Sequence, residues 1–361
     1  MIDPANEVSL SINGSRYVGW TGVRIGAGIE RVARDFNVSI TREAEDAGQP
    51  GFFERVSPGD RVELRIGSDL VMTGHVDALP ISYDDNSISR SITGRSLTAD
   101  LVDCAAIYKG GQWIQRSLAQ IARDLAGVYG VTVIDKGVSG LPVPEHQIDP
   151  GETVFESLDR VLQLRQALAF DDPSGRLVID TIGTGKAVTA LVRGENIKSC
   201  NADRDFKDCF SEYRVLGQRA GSDADYGGST NQLQAVVRDS RVRRTRILQV
   251  KQSGQATLAS CRDLARFERD RRAARPYEIS YTVSGWRQGD GRLWAPNVRV
   301  LVWDDYLGLD GAEMLIAEVE YSYDDSGTVA TLRVGPPDAY LPQPAEPQKR
   351  KAAKTGVETL P

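Results

Sequence analysis

The sequence predicts a mainly β protein with an α+β stretch in its middle. Three observations carry this: apolar and polar residues alternate in short runs from residue 7 to 95, the apolar period lengthens to that of a helix at residue 98, and alternation returns from about residue 190. The division that follows is a first β-barrel domain (1–97), an α+β middle domain (98–188), a second β-barrel domain (189–340) with one inserted basic helix (257–274), and a flexible tail (341–361).

In the first domain Val8, Leu10 and Ile12 alternate ahead of Asn13-Gly14, a pair suited to the positive φ angles of a tight hairpin turn. Phe36, Val38 and Ile40 repeat the period, as do Val62, Leu64 and Ile66. Short strands between regular turn signals suit a sandwich or small barrel. In the middle domain Leu118, Ile121, Ala122, Leu125 and Tyr129 fall on one helix face, and Ser117 with Gln120 has capping-box spacing. Thr153 and Glu156 form a second box before Val154, Leu158, Val161 and Leu162, and "ALAFDDPSGRLVID" reads as a hairpin. Beyond residue 190, "EYRVLG", "RRTRILQV", "YEISYTVS", "VRVLVW", "EMLIAEVEYSY" and "TVATLRV" read as strands. The inserted helix turns Leu258, Cys261, Leu264 and Ala265 inward, and the Pro- and Lys-rich end of the chain has little to bury.

One internal echo links the two β regions. Each runs strand, strand and then a hairpin whose turn begins Ser-Tyr-Asp-Asp, at Ser82 to Asp85 and at Ser322 to Asp325. The shared order of elements predicts two similar small antiparallel β-barrels in one chain.

Composition narrows the function. A formal net charge of −6 argues against a general nucleic-acid binder, which needs a basic surface to neutralise phosphates. The start, "MIDPANEVSLSI", lacks the basic and apolar regions of a secretory signal, and no apolar run suits membrane insertion, so folding in a cytoplasm is expected. Cys104, Cys200, Cys209 and Cys261 are scattered, and with only His75 and His146 beside them no zinc spacing arises. Cys104 precedes a glycine turn and a helix, as a nucleophile would, yet no basic residue adjoins it to lower its pKa, so a structural thiol is expected.

No nucleophile elbow, zinc-protease motif or phosphate loop is present; "RIGAGIERVARDF" has Gly26 and Gly28 but no third glycine, and reads as a bulge or turn. The acidic pairs Asp84-Asp85, Asp171-Asp172, Asp304-Asp305 and Asp324-Asp325 read mostly as solvated turn residues. No catalytic residue, cofactor or metal is therefore assigned. Residues 238–275 carry twelve Lys and Arg against four Asp and Glu, a local +8 that leaves −14 for the rest. Arg241, Arg243, Arg244, Arg246, Arg266, Arg269, Arg271 and Arg272 are the candidate protein-interface residues; contact with nucleic acid, or a solvated helix whose arginines pair locally, are the other readings. Trp113, in "KGGQW", is expected to anchor the junction between the first and middle domains.

Three segments carry a family resemblance. "LTADLVDCAAIYKGGQWIQRSLAQIARDLAGVYGVTV" resembles part of the baseplate hub proteins of Mu-like contractile-tailed phages, a family related to type VI secretion spikes. "NEVSLSINGSRYVGWTGVRIGAGIERVARDFNVSI" and "GDGRLWAPNVRVLVWDDYLGLDGAEMLIAEVEYSYDDSGTVATLRVGPPDAY" resemble that family's first and last segments. The resemblance implies a homotrimeric torus in the virion, assembled in the host cytoplasm, whose two barrels per subunit form a pseudo-six-fold ring. Its implied partners are further copies of itself, the tail tube protein, the central spike and other baseplate proteins, with DNA only passing through the lumen. A structural adaptor is expected rather than an enzyme. The rival readings are a cell-wall-degrading tail enzyme, a nucleic-acid-binding protein and a type VI secretion-like hub component.

Overall fold

In the computed structural model, residues 4–41, 51, 55–83, 85, 88–218, 233–252, 256–324 and 327–343 are described. The chain forms two units, one from Met1–Asp205 with Ala274–Pro342 and a second built on Phe206–Ala273.

The first unit opens with β1 (Val8–Ile12), β2 (Ser15–Tyr17), β3 (Gly22–Gly28), β4 (Asp35–Thr41), β5 (Arg61–Ile66), β6 (Asp69–Ala78), β7 (Ile81–Tyr83) and β8 (Ile88–Ser96). Asn13 and Gly14 both take positive φ in the β1–β2 turn. Hydrogen-bonded neighbours run β2-β1-β5-β6-β8-β4-β3, all antiparallel, and the alternating residues Leu10, Ile25, Val38, Leu64 and Ile92 meet in one core. Where β6 crosses β8 the backbones close in: a Cβ on Gly74 would stand 1.9 Å from the Arg95 carbonyl, and one on Gly94 2.1 Å from that of His75. Only glycine permits that approach.

The middle part holds α1 (Ala99–Asp103), β9 (Gln112–Arg116), α2 (Leu118–Gly127), β10 (Val133–Asp135), β11 (Val143–Gln147), α3 (Val154–Arg165), β12 (Leu168–Asp171) and β13 (Leu177–Asp180). Both capping boxes form, Ser117 with Gln120 on α2 and Thr153 with Glu156 on α3. The β12–β13 hairpin turns on Asp172, whose carboxylate accepts from the amides of Ser174 and Arg176. Helices α2 and α3 pack Leu118, Ile121, Leu125, Val154, Leu158 and Val161 into a separate core.

The chain then adds β14 (Leu191–Val192) and β15 (Ile197–Asn201). Within the second unit follow β16 (Glu212–Gly217), β17 (Leu233–Arg238), β18 (Ile247–Lys251) and α4 (Leu258–Ala274). The first unit resumes with β19 (Ile279–Ser284), β20 (Val298–Asp304), β21 (Leu309–Asp324) and β22 (Gly327–Gly335). Its second set of strands runs β14-β20-β21-β22-β19-β15.

That order repeats the first. Strands β1, β3, β4, β5, β6 and β8 correspond, in chain order and in sheet position, to β14, β15, β19, β20, β21 and β22. Register supports the match: Phe36, Val38 and Ile40 on β4 and Ile279, Tyr281 and Val283 on β19 are all buried, and all sit opposite the matching residues of β8 and β22. Irregularities of register recur between β5 and β6 and between β20 and β21, and again between β6 and β8 and between β21 and β22. One difference stands out, since β1 is antiparallel to β5 whereas β14 is parallel to β20.

Among the described residues the two expected closed barrels are not formed. The ladders make one open sheet with β2 and β15 at its ends, because β3 pairs along six residues with β21 instead of closing on its own module. The helix expected at 257–274 is not a lone insertion either: α4 packs on the three-stranded sheet β17-β16-β18 with its own core of Val215, Ala235, Cys261, Leu264, Ala265 and Phe267. Leu258, expected inward, is exposed because the inward face of α4 begins at Cys261. Asp84 and Asp325, and the tail after Gln343, lie outside the described residues.

A buried ion pair ties the first sheet to the middle part. Arg34 donates through Nε to Asp171 Oδ1 at 3.1 Å and through Nη1 to the Val71 carbonyl at 2.8 Å, and its amide reaches Asp171 Oδ2 at 3.0 Å. Burial pushes the Asp171 carboxyl upward, against the pull of Arg34 and Ser96. Arg34→Ala strands that carboxyl without its cation, and a loss of about 3–5 kcal/mol is expected in urea unfolding. Arg34→Met with Asp171→Leu in one chain is expected to cost clearly less.

Candidate interaction surfaces

The described residues hold no cluster of three or more metal-ligating side chains, and no helix among them is long and apolar enough to cross a membrane. All four thiols are pushed above their ordinary pKa, chiefly by burial, and at Cys104 also by Asp100 and Asp103. A thiol held protonated at neutral pH is a poor nucleophile. His146 Nε2 stands 2.9 Å from Ser157 Oγ, but both side chains are buried and the ring is stacked on Trp113. Burial, then Arg160, lowers the His146 pKa.

A cleft of about 520 Å³ opens between the middle part and the sheet. Three of the four carboxylates on its wall are held by cations, Asp171 by Arg34, Asp172 by Arg176 and Asp69 by Arg287, while Asp180 accepts from the Thr181 amide at 2.7 Å. A glycosidase needs one carboxyl free to give a proton and another free to attack or activate water. The first three are committed to ion pairs.

The β3–β21 joint links the two modules of the first unit. Tyr323 pairs with Val23, Tyr321 with Ile25 and Glu318 with Gly28. Across it Arg24 reaches Asp35 at 2.5 Å and Glu320 at 2.7 Å, Arg31 binds Asp35 and Glu318, and Arg333 reaches Glu318 at 3.2 Å. Gly26 and Gly28, expected in a bulge or turn, lie in regular β3; a Cβ on Gly26 would stand 2.7 Å from Arg31 Nη1 and from Asp35 Oδ1. Arg287 adds a second link between the modules, with Nη1 2.7 Å from Asp69 and Nη2 2.7 Å from the Ala5 carbonyl.

Six of the candidate arginines make contacts inside the second unit. Arg241 grips Asp239 through Nε and Nη2, both at 2.8 Å, and Arg246 donates to the carbonyls of Cys209 and Lys207 with its guanidinium over the Phe210 ring. Arg272 pairs with Glu268 at 2.8 Å, Arg269 with Asp270 at 2.7 Å and Arg266 with Asp263 at 3.9 Å. Arg271 lies over the Phe267 ring. Arg243 and Arg244 are exposed in the turn before β18.

Trp113 sits inside the middle core. Its ring stacks on Tyr108 at 4.2 Å between centroids, and Nε1 donates to Asp124 at 2.8 Å. The same core takes in Val32 from the first β region, with Leu97 packed against it, and Arg34–Asp171 is a further tie between these parts that nothing in local sequence marks.

Known proteins share this architecture, and the class they define is that of phage tail and baseplate proteins. Residues 7–96 match a family model described as Mu phage baseplate assembly protein GpP-like, N-terminal; residues 98–181 match baseplate hub protein gp44-like, second domain; and residues 257–343 match the GpP fourth domain. A 43 kDa tail protein of prophage MuSo2 from Shewanella oneidensis is 34% identical with a TM-score of 0.84, covering 94% of this chain and 100% of that one. A tail protein from Neisseria meningitidis is 25% identical with a TM-score of 0.77, over 92% and 98%. An E. coli component of the type VI secretion system, 12% identical over 93% of this chain and 79% of that one with a TM-score of 0.54, shares the fold alone. The chain is also 32% identical to baseplate hub protein gp44 of Escherichia phage Mu, over 99% of this chain and 95% of that protein. It belongs to the Mu-like baseplate hub family.

Trp113→Ala is expected to lower stability by about 3–5 kcal/mol, read as a fall in Tm, because it empties a stacked core position and leaves Asp124 without its donor. In the second unit Arg241 holds the Asp239 carboxyl below the ordinary carboxylate range. A depressed carboxyl stabilises the folded state above its unfolded pKa of about 3.9 and stops doing so as pH falls through its folded value. Protection of the β16 and β18 amides, measured as exchange relative to the intrinsic rate at each pH, is therefore expected to fall in acid below that range, and Asp239→Asn to flatten the dependence.

Proposed function

We propose that the protein is the structural hub of a contractile phage tail, joining a six-fold tail tube to a three-fold central spike. The carrying observation is the strand order repeated within one chain. Six-fold and three-fold objects cannot meet through identical contacts, but three copies of a chain with two look-alike modules offer six similar faces on one side and three on the other. The partners in this reading are two further copies of the chain, the tube protein, the spike and other baseplate proteins, met in the virion after assembly in the host cytoplasm.

DNA passes through the ring without staying bound. The acidic balance outside residues 238–275 suits a wall that does not hold phosphates, and the local pairing of most arginines there removes cations that would. Arg243 and Arg244 are the pair left to meet a protein partner. The lytic reading is disfavoured because three of the cleft's four carboxylates are bound by arginines, which leaves Asp180 without a second carboxyl free to work with it.

Sedimentation equilibrium is expected to give three times the 39.4 kDa chain mass. A monomer at every concentration overturns the reading. At about 150 mM salt, duplex DNA is expected not to be retained, since few phosphates would be neutralised.

A further inference from the structure

The joint inside the chain has an unfilled counterpart. The repeat places β15 where β3 stands, and the end of β6 with β7 where the second half of β21 stands. Register carries the match to single residues: Ser82 and Tyr83 correspond to Ser322 and Tyr323, and following β8–β4–β3 against β22–β19–β15 puts Cys200 at Val23 and Ala202 at Ile25. In the first joint these positions are closed, with Val23 5%, Ile25 0% and Tyr321 4% exposed. In the counterpart they are open: Tyr83 is 83% and Ile81 61% exposed, and Cys200 is exposed as well.

The backbone is ready for a partner. The Ser91 amide donates to the Pro80 carbonyl, so Pro80 and Ser82 turn their peptide groups toward β8. Ile81 and Tyr83 therefore turn theirs to the other edge, where no strand pairs among the described residues. The missing N–H of Pro80 falls on the β8 side and leaves that edge intact. Among the described residues strand β15 pairs with β19 alone, apart from a single bridge between Ile197 and Arg193.

We propose that β15 and the residues after it, in one copy, pair antiparallel with the free edge of β7 in the next copy, Cys200 opposite Tyr83 and Ala202 opposite Ile81. This contact repeats between chains what β3 and β21 do within one, and it rests on the ring reading above. It is head-to-tail, so it generates a ring that closes when the rotations permit, which for three copies means six modules. It also covers two sheet edges that would otherwise invite aggregation.

The test uses the native Cys200 of the full chain. Residues opposite each other in an antiparallel pair have Cα atoms about 5 Å apart, within disulfide reach. Tyr83 is exposed, so Tyr83→Cys is tolerated by the fold. Mild copper-phenanthroline oxidation of that variant is expected to give bands at two and three chain masses on a non-reducing denaturing gel. Wild type, Ser82→Cys, and Tyr83→Cys combined with Cys200→Ser are expected to stay at one. Three copies by sedimentation with no cross-link from Tyr83→Cys overturns this contact while the ring stands. Cross-linking as strong from Ser82→Cys overturns the register. A monomer that does not cross-link overturns both the contact and the ring.

Discussion

The first unit depends on one constraint, the pairing of β3 with β21. A β-module this small has a free edge, and a free edge must be covered, charged or paired. Here the first module spends its edge on the second, so the two share one hydrogen-bonded sheet and one apolar core that runs from Leu10 to Val334. The salt-bridged row of Arg24, Arg31, Asp35, Glu318 and Glu320 then fixes the register, because a slip of β21 by one residue would turn Glu318 and Glu320 to the other face, away from Arg24 and Arg31. Close approach of Arg31 to the backbone explains why Gly26 lies beneath it.

With that joint in place, the chain's additions fall where the repeat tolerates them. The six residues from Ile29 to Arg34 connect β3 to β4, whereas the matching connection from β15 to β19 contains the whole second unit. That unit brings its own sheet and core, and many of its charges are met internally, as Asp239–Arg241 and Glu268–Arg272 illustrate. An insertion that satisfies its own polar groups asks little of the strands that flank it.

Local features were legible in the sequence where local physics decides them. Both capping boxes, the Asn13-Gly14 turn and the alternation of β4, β5 and β19 depend on neighbours within a few residues, and all are visible in a single chain. The repeated Ser-Tyr-Asp-Asp turn led to the duplication because turn chemistry and strand order survive when side chains drift. Barrel closure was misjudged, since alternation reports which face of a strand is buried and says nothing about which strand lies at its edge. Strand β17, "LQAVVR", went unread because only Ala235 of its side chains is buried. The arginine cluster left a partner surface and local pairing both open, because sequence cannot reveal that Asp239, the Cys209 carbonyl and Glu268 stand within reach. Arg34 and Asp171 are 137 positions apart, and only folding brings them together.

The same repeat explains how a hub can imitate six-fold symmetry on one side and keep three-fold symmetry on the other. What the modules share is the strand order and the buried rows of β4 and β19, and in the proposed ring these present six near-equal surfaces. What they do not share occurs once per chain: the middle part after β8, the second unit after β15, and the change from antiparallel β1 to parallel β14. Features present once per chain recur three times around a three-copy ring. In the proposed ring the duplicated module therefore supplies the tube-like symmetry, and the unduplicated insertions reduce it to three-fold.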